Sequence, residues 1–470
     1  MDKPTQQASN ESWLDRPIWG RITGWHIAYA LILAFILFTR LWDLGSRPYD
    51  HDESIHAWES WKLITGQGYQ HSPVYHGPFL YHFTGMLFGL FGTTDYVGRL
   101  SVGISGIIIT LLPLCLTRWL GKRGVLMITL LMAISPVVMH RSRFLRHDQN
   151  AIIFNLVMMI AMFHYLERRQ DRHLYLFAGA LAMGLTAKET TFITYAIFGT
   201  FLFLYYLVKV QPKSKAGWLN YPVVDLMIVM VTLLLPFAAA FPIKLLGRDP
   251  IDYSSSGLVF SGIITAALLF LGIGIGTWWG GRRWLICAGI FWVPVLTLFT
   301  TLFTNGQGIG TGVVGQLGYW LSQQGVKRGG QPWYYYLALF PLYEFLPILL
   351  GMGGAIWLFI RWRRAPVAAK AVTLTVVEAG QGAADAAGGS ALSVEAAPSV
   401  PVLPLLLYWS VMAFAMYSVA GEKMPWLLLH LAVPLQLFAG WALAELLPKD
   451  WASIARAKGL WLFLLLPALW

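Results

Sequence analysis

The sequence predicts an all-α, polytopic membrane protein with about 13 transmembrane helices. Three observations predict it. Apolar runs of roughly 17–25 residues, the length a helix needs to cross a bilayer, recur along most of the 470 residues. The chain is 57% hydrophobic and only 12% charged, where soluble chains carry roughly a quarter charged residues. Lys and Arg fall in short clusters between the apolar runs. The alternation of a β-barrel is absent, which leaves helices as the way to satisfy the backbone in lipid.

The elements follow in chain order. Residues 1–24 are polar and mixed in charge and form an N-terminal tail; the long first span behind them reads as an uncleaved anchor rather than a signal peptide. Spans are expected near 25–42, 98–119, 125–140, 149–166, 174–187, 190–208, 221–243, 258–279, 284–304, 337–360, 402–420, 427–447 and 459–470. The last ends abruptly at Trp470, as in a chain that continues. These spans divide the chain into a core, 25–208, with a first outer loop at 43–97; further helices, 209–364, with an outer loop at 305–336; a low-complexity Ala/Gly/Val stretch, 365–400, expected to be a disordered cytoplasmic loop; and C-terminal helices, 401–470.

The basic clusters fix sidedness. Arg16 and Arg21 precede span 1. Arg118, Lys122 and Arg123, then Arg168, Arg169 and Arg172, then Lys209, Lys213 and Lys215 flank later spans, followed by Arg282 and Arg283, by Arg361, Arg363 and Arg364, and by Lys449, Arg456 and Lys458. All fall on one side if the N-terminus is cytoplasmic. Counting the apolar stretch 76–92 as a span would flip every later cluster, so it is expected to be a juxtamembrane or re-entrant helix. Residues 53–65 carry Ile55, Trp58, Trp61 and Ile64 at helical spacing, which suits a helix lying in the interface. The net charge of +11 therefore marks topology rather than a nucleic-acid partner. Cys115 and Cys287 are isolated in apolar runs and give neither a disulfide framework nor a zinc spacing.

With this topology the polar motifs gather on the extracytoplasmic face. The first loop holds "HDES", with His51, Asp52 and Glu53, then His56, Glu59, His71, His76 and His82. "HRSRFLRHDQN" supplies Arg141, Arg143, Arg146, His147 and Asp148; "TAKET" supplies Lys188 and Glu189; "GEKMPW" supplies Glu422 and Lys423, its Pro-Trp reading as a helix start and interface anchor. Ionisable groups at such depth are costly and point to function. The histidines lack a HExxH pattern or a compact ligand set, so no metal site and no cofactor are expected. A carboxylate can deprotonate an acceptor hydroxyl, Arg and Lys can hold a phosphate, and an amphipathic shelf can admit a lipid tail. Together these suit attack by an acceptor on a sugar carried by a polyprenyl phosphate, with preplaced cations facing the charge that develops on the leaving phosphate. The loop 305–336 is expected to wall the pocket.

The motifs "HDES", "GPFLYHFTGMLFGLFGTTDYVGRL", "ISPVVMHRSRFLRHDQN" and "GLTAKETTF" occur in this order and resemble the integral-membrane GT-C glycosyltransferases, specifically the protein O-mannosyltransferase-like group. The resemblance is good over residues 40–200 and extends beyond by span pattern; "GEKMPWL" is similar to prokaryotic members called flippase-associated. It implies a GT-C-like fold, a catalytic core at 25–208, and transfer of a mannose-like hexose from a polyprenyl- or dolichyl-phosphate donor, with inversion. It implies Asp52 as catalytic base with Glu53 beside it, Arg143, Arg146, Asp148 and Lys188 as donor or phosphate contacts, and His51, His56, His76, Glu189, Glu422 and Lys423 as further candidate substrate contacts. Many members have Pro-Pro-Leu where this chain has Gly77-Pro78-Phe79. The implied partners are a polyprenyl-phosphate-linked sugar, a protein, lipid or cell-wall glycan acceptor, and the bilayer of the plasma membrane. The competing reading is a lipid-linked sugar flippase or transporter, or a flippase-associated membrane protein. It would explain Pro113, Pro236 and Pro294 inside spans, yet no inverted repeat or intramembrane chain of ionisable residues accompanies them.

Overall fold

The structure, a computed structural model, describes residues 13–15, 17–211, 217–326, 330–364 and 400–447. Helices dominate it. Among the described residues one sheet occurs, a hairpin of Pro17–Trp19 and Ile22–Thr23 turned at Gly20 with φ 56°, inside the segment expected to be a simple tail. The expected span 459–470 and the loop 365–399 lie outside the described residues.

Each of the other twelve expected spans meets a helix: α1 Gly24–Leu41, α4 Asp95–Leu111, α5 Thr117–Ile134, α7 Asp148–Arg168, α8 Asp171–Ala187, α9 Thr191–Tyr205, α10 Pro222–Leu234, α12 Ser255–Phe299, which contains two of them, α14 Tyr335–Arg364, α15 Val402–Val419 and α16 Leu428–Leu446. Among the described residues nine helical stretches are long and apolar enough to cross a membrane; Asp95–Ile134 and Ser255–Phe299 each hold two spans, and α8 is one residue short of the length criterion at 17. The doubled stretches break where the chain has left-handed glycine, at Gly121 with φ 70° and Gly281 with φ 41°.

The first loop is helical. In it lie α2 His51–Thr65 and α3 Phe79–Phe91, the latter 13 residues and too short to span. Asp50 caps α2, Glu53 completes a capping box, and Gly66 at φ 71° stops the helix. A small apolar cluster of Ala57, Leu80, Leu87, Phe88, Val97, Val102 and Leu145 clamps α2 and α3 onto α4 and the segment before α7. The larger core joins α5, α7–α10, α12 and α14–α16. The short α6 Pro136–Arg141 and α11 Ala240–Leu245 extend α5 and α10. The loop at 305–336 is more ordered than its glycines suggest, since α13 spans Gln316–Val326. Glu344 leaves helical geometry between Pro341 and Pro347 of α14 and takes hydrogen bonds from Ser135 Oγ, from the Val137 amide at 3.1 Å and from Gln436 Nε2 at 3.0 Å.

Candidate functional site

The first turn of α2 sends its two carboxylates in different directions, as consecutive helical residues must. Both sit where a helix N-terminus favours negative charge. Asp52 faces out, with about a third of its side chain exposed, and pairs with Arg146 Nη1. Glu53 faces in and is fully buried. It accepts from Arg99 Nε at 2.9 Å and Nη2 at 2.8 Å, from the Leu145 amide at 2.9 Å, from the Asp50 amide at 3.1 Å and from Arg47 Nη2 at 3.3 Å. Burial pushes its pKa up, but the Arg99 bond and the two backbone amides outweigh that and hold it below the ordinary glutamate value. Arg99 in turn donates to the carbonyls of Leu44, Arg47 and Pro48. These bonds make Glu53 a structural anchor next to Asp52, its oxygens taken up by Arg99, Arg47 and two backbone amides.

From Asp52 a chain of charges runs inward. The Arg146 guanidinium lies 3.8 Å above the Trp426 ring, and its Nε faces Asp148 Oδ2 at 3.8 Å. Asp148, the first residue of α7 and fully buried, takes Lys188 Nζ at 2.6 Å and His430 Nε2 at 3.1 Å, both on Oδ1. Lys188 reaches it because α8 ends there: its backbone is extended, with φ −163°, and α9 starts again at Thr191, whose hydroxyl donates to the Lys188 carbonyl at 2.7 Å. Tyr417 stacks on His430 with ring centroids 5.5 Å apart. Arg146 Nε and Asp148 Oδ2 are buried without hydrogen-bond partners, a mark of a site built for something more than packing.

Beside this chain lies a narrow cleft lined by His76, Lys188, Glu189, Trp320, Tyr417, Glu422 and Trp426, among others. His76 Nδ1 lies 2.9 and 3.0 Å from the two Glu189 oxygens. Behind it His147 packs edge-on to His56 at 4.6 Å and to His76 at 5.2 Å, while His56 Nδ1 meets Tyr81 Oη at 3.1 Å. Burial first, then the neighbouring Arg146, His76 and Lys188 charges, hold the His56 imidazole well below the ordinary histidine pKa; burial and then His56 and His76 do the same for His147. Among the described residues no group of three or more His, Cys, Asp or Glu is arranged to hold a metal ion.

Residues 75–239 match the family model of the dolichyl-phosphate-mannose-protein mannosyltransferases. That stretch contains His76, Arg146, Asp148, Lys188 and Glu189 and begins after Asp52. No curated protein matches. Among solved structures, the Archaeoglobus fulgidus oligosaccharyltransferase, solved as a complex with Zn and sulfate, superposes with a TM-score of 0.52 at 14% identity, covering 94% of this chain and 51% of its own. The fold is GT-C-like. ArnT from Cupriavidus metallidurans bound to undecaprenyl phosphate is also similar, with a TM-score of 0.48 at 15% identity, over 92% of this chain and 63% of its own. The chain thus spans between half and two thirds of the length of these structures.

Within this GT-C frame several expected contacts fall elsewhere. Arg143 does not face the cleft; it donates to the carbonyls of Thr39 at 2.9 Å, Trp42 at 2.7 Å and Asp43 at 3.1 Å, closing the C-terminal end of α1 where carbonyls lack helical partners. Lys423 turns back to the Ala420 carbonyl at 2.8 Å and does not line the cleft, whereas Glu422 does. His51 is exposed at the start of α2, and His56 is buried behind the cleft. Trp426, expected as an interface anchor, instead covers Arg146. His430, Tyr417 and Trp320 escaped sequence reading. An ionisable residue inside an apolar span was the signal for His430; for the two aromatics, in a chain with 22 Trp and 20 Tyr, there was none.

The buried carboxylate of the first turn of α2 gives a first test. Glu53→Gln is expected to lower stability by about 3–5 kcal/mol, since it strands a buried Arg99 charge. The depressed Glu53 pKa also makes its share of stability present above the ordinary glutamate value and lost as pH falls through the lower folded value. Thermal unfolding in detergent across acid pH checks both: the Gln variant will be less stable at neutral pH and will show a flatter acid limb.

Proposed function

We propose that the chain transfers a mannose-like hexose from a polyprenyl-phosphate donor to an acceptor hydroxyl, with inversion, on the extracytoplasmic face of the plasma membrane, its N-terminus in the cytoplasm. The observation that carries this reading is the run of contacts Asp52–Arg146–Asp148–Lys188: one accessible carboxylate, then two buried cations beside a cleft. The matched family model, described by dolichyl-phosphate-mannose transfer, supports the donor class.

In the step itself the acceptor oxygen bonds to the anomeric carbon as Asp52 takes its proton. The bond from that carbon to the phosphate oxygen breaks, and its electron pair stays with the phosphate. Arg146 and Lys188 face the charge that appears there. Asp148, held by His430, keeps both cations in register. Because Arg146 is already paired with Asp52, a donor phosphate drawing on the same guanidinium loosens Asp52 from its ion pair, readying it for the acceptor.

The test is a transfer assay in proteoliposomes with polyprenyl-phosphate mannose and hydroxyl acceptors. Transfer with the anomeric configuration reversed is expected. Movement of the lipid-linked sugar across the bilayer without transfer would overturn the reading in favour of a flippase. Turnover is expected to persist in EDTA; loss in EDTA that zinc or manganese restores would mark a required metal.

A further inference from the structure

The cleft contains an imidazole–carboxylate pair that the transfer step leaves unused. His76 ends a short 3-10 turn, Pro73–Tyr75, with φ 68° and ψ −162°, a backbone conformation that only glycine adopts freely. Three contacts hold it there. Its carbonyl lies 3.1 Å from His71 Nε2, and His71 Nδ1 is itself fixed 2.8 Å from Thr311 Oγ1. The next residue, Gly77, is pressed against the Thr186 carbonyl so closely that a Cβ has no room. The ring meets both oxygens of the largely buried Glu189. Strain kept in place by a surrounding scaffold points to function.

The pair also orients the ring. Burial pushes the Glu189 pKa up, but His76 and then Lys188 outweigh that and hold it below the ordinary value. Nδ1 carries the hydrogen shared with the carboxylate, and Nε2 is turned away from it. Nε2 has no protein partner among the described residues. The ring is 17% exposed and lines the cleft with Trp320, Lys188 and Trp426.

Resting on the transferase reading above, we propose that His76 recognises the acceptor and that the acceptor is a carbohydrate. Asp52 takes the proton of the reacting hydroxyl, so the hydroxyl that shares a hydrogen bond with His76 Nε2 is a second one, on a neighbouring carbon. A lone serine or threonine side chain lacks it; a sugar has it. Trp320 and Trp426 also line this cleft, and because one face of the Trp426 ring lies under Arg146, Trp320 is the indole left to meet a sugar ring. Glu189 acts through His76 as a positioning residue.

The experiment compares octyl α-mannoside with an acetylated threonine peptide as acceptors of polyprenyl-phosphate mannose. Wild type is expected to prefer the mannoside. His76→Gly is expected to raise the mannoside KM by about 10- to 100-fold, the scale for losing a designed hydroxyl contact, with the donor KM within about twofold. His76→Gln, whose amide reaches the Nε2 position, is expected to recover part of the loss. Glycine relieves the left-handed backbone but strands the Glu189 carboxylate, so the control is His76→Gly with Glu189→Gln, which removes that charge: it is expected to melt near wild type and keep the raised mannoside KM, which separates a lost contact from unfolding. A parallel rise in donor KM, an unchanged mannoside KM, or a wild-type preference for the peptide each overturns the proposal. If wild type neither transfers to any acceptor nor hydrolyses donor, the transferase reading falls, and this inference with it.

Discussion

Asp52→Asn will cost about 10²- to 10⁴-fold in kcat, the range for a lost general base, and leave the fold standing. Asp52 is the one carboxylate of the charge chain with substantial exposure, and among the described residues its side chain has a single ion-pair partner, Arg146. Asparagine keeps the shape and most of the helix start. It gives up only the first-turn charge, worth roughly 0.3–1 kcal/mol at a helix N-terminus, and a pairing that Arg146 replaces in part through Trp426 and Asp148. Single-turnover transfer together with thermal unfolding in detergent distinguishes the cases. Turnover within about tenfold of wild type would remove Asp52 from the base role, because truncation of a true base falls well outside that margin.

Asp148→Asn will behave in the opposite way: its main effect is on stability. The sequence alone suggests a donor-binding carboxylate whose loss spares the fold. The structure buries it completely between Lys188 and His430. Removing the charge leaves a Lys188 ammonium that is 1% exposed without its counter-ion, which costs about 3–5 kcal/mol. The double variant Asp148→Asn with Lys188→Met removes the stranded cation too. It will recover most of the melting temperature, since an apolar replacement of a buried pair is often near neutral, while transfer stays lost. A single Asp148→Asn variant that melts like wild type would show that Lys188 finds another partner or loses its proton at little cost, and the account of the pair would fail.

The helices were legible because hydropathy and the bilayer impose the same length scale on them. Positive clusters such as Arg282–Arg283 and Arg361–Arg364 kept the count in register, and the first-loop helix α2 showed in the spacing of Ile55, Trp58, Trp61 and Ile64. The part of the site carried by loop motifs was also visible: Asp52, Arg146, Asp148 and Lys188 do meet. What could not be read was how burial divides neighbouring residues of one motif. Asp52 and Glu53 are adjacent letters on opposite sides of a helix turn, and Arg143 and Arg146 are separated by a turn that sends one to α1 and the other to the cleft. Pairings such as His430 with Asp148 join positions 282 residues apart. Glu344, in the middle of a span, gains meaning only from Ser135, Val137 and Gln436 on other helices.

The Glu53–Arg99 lattice has a consequence for how the molecule matures. Its donors and acceptors come from positions 44 to 145, so the lattice closes only after α4 and α5 have been threaded into the bilayer and the residues ahead of α7 have emerged. Until then Glu53 lacks the Leu145 amide and α2 lacks the Leu145 side chain of its apolar cluster. The frame around Asp52 is therefore completed late in biogenesis, and a nascent chain released short of α7 carries the Asp-Glu motif without all of it.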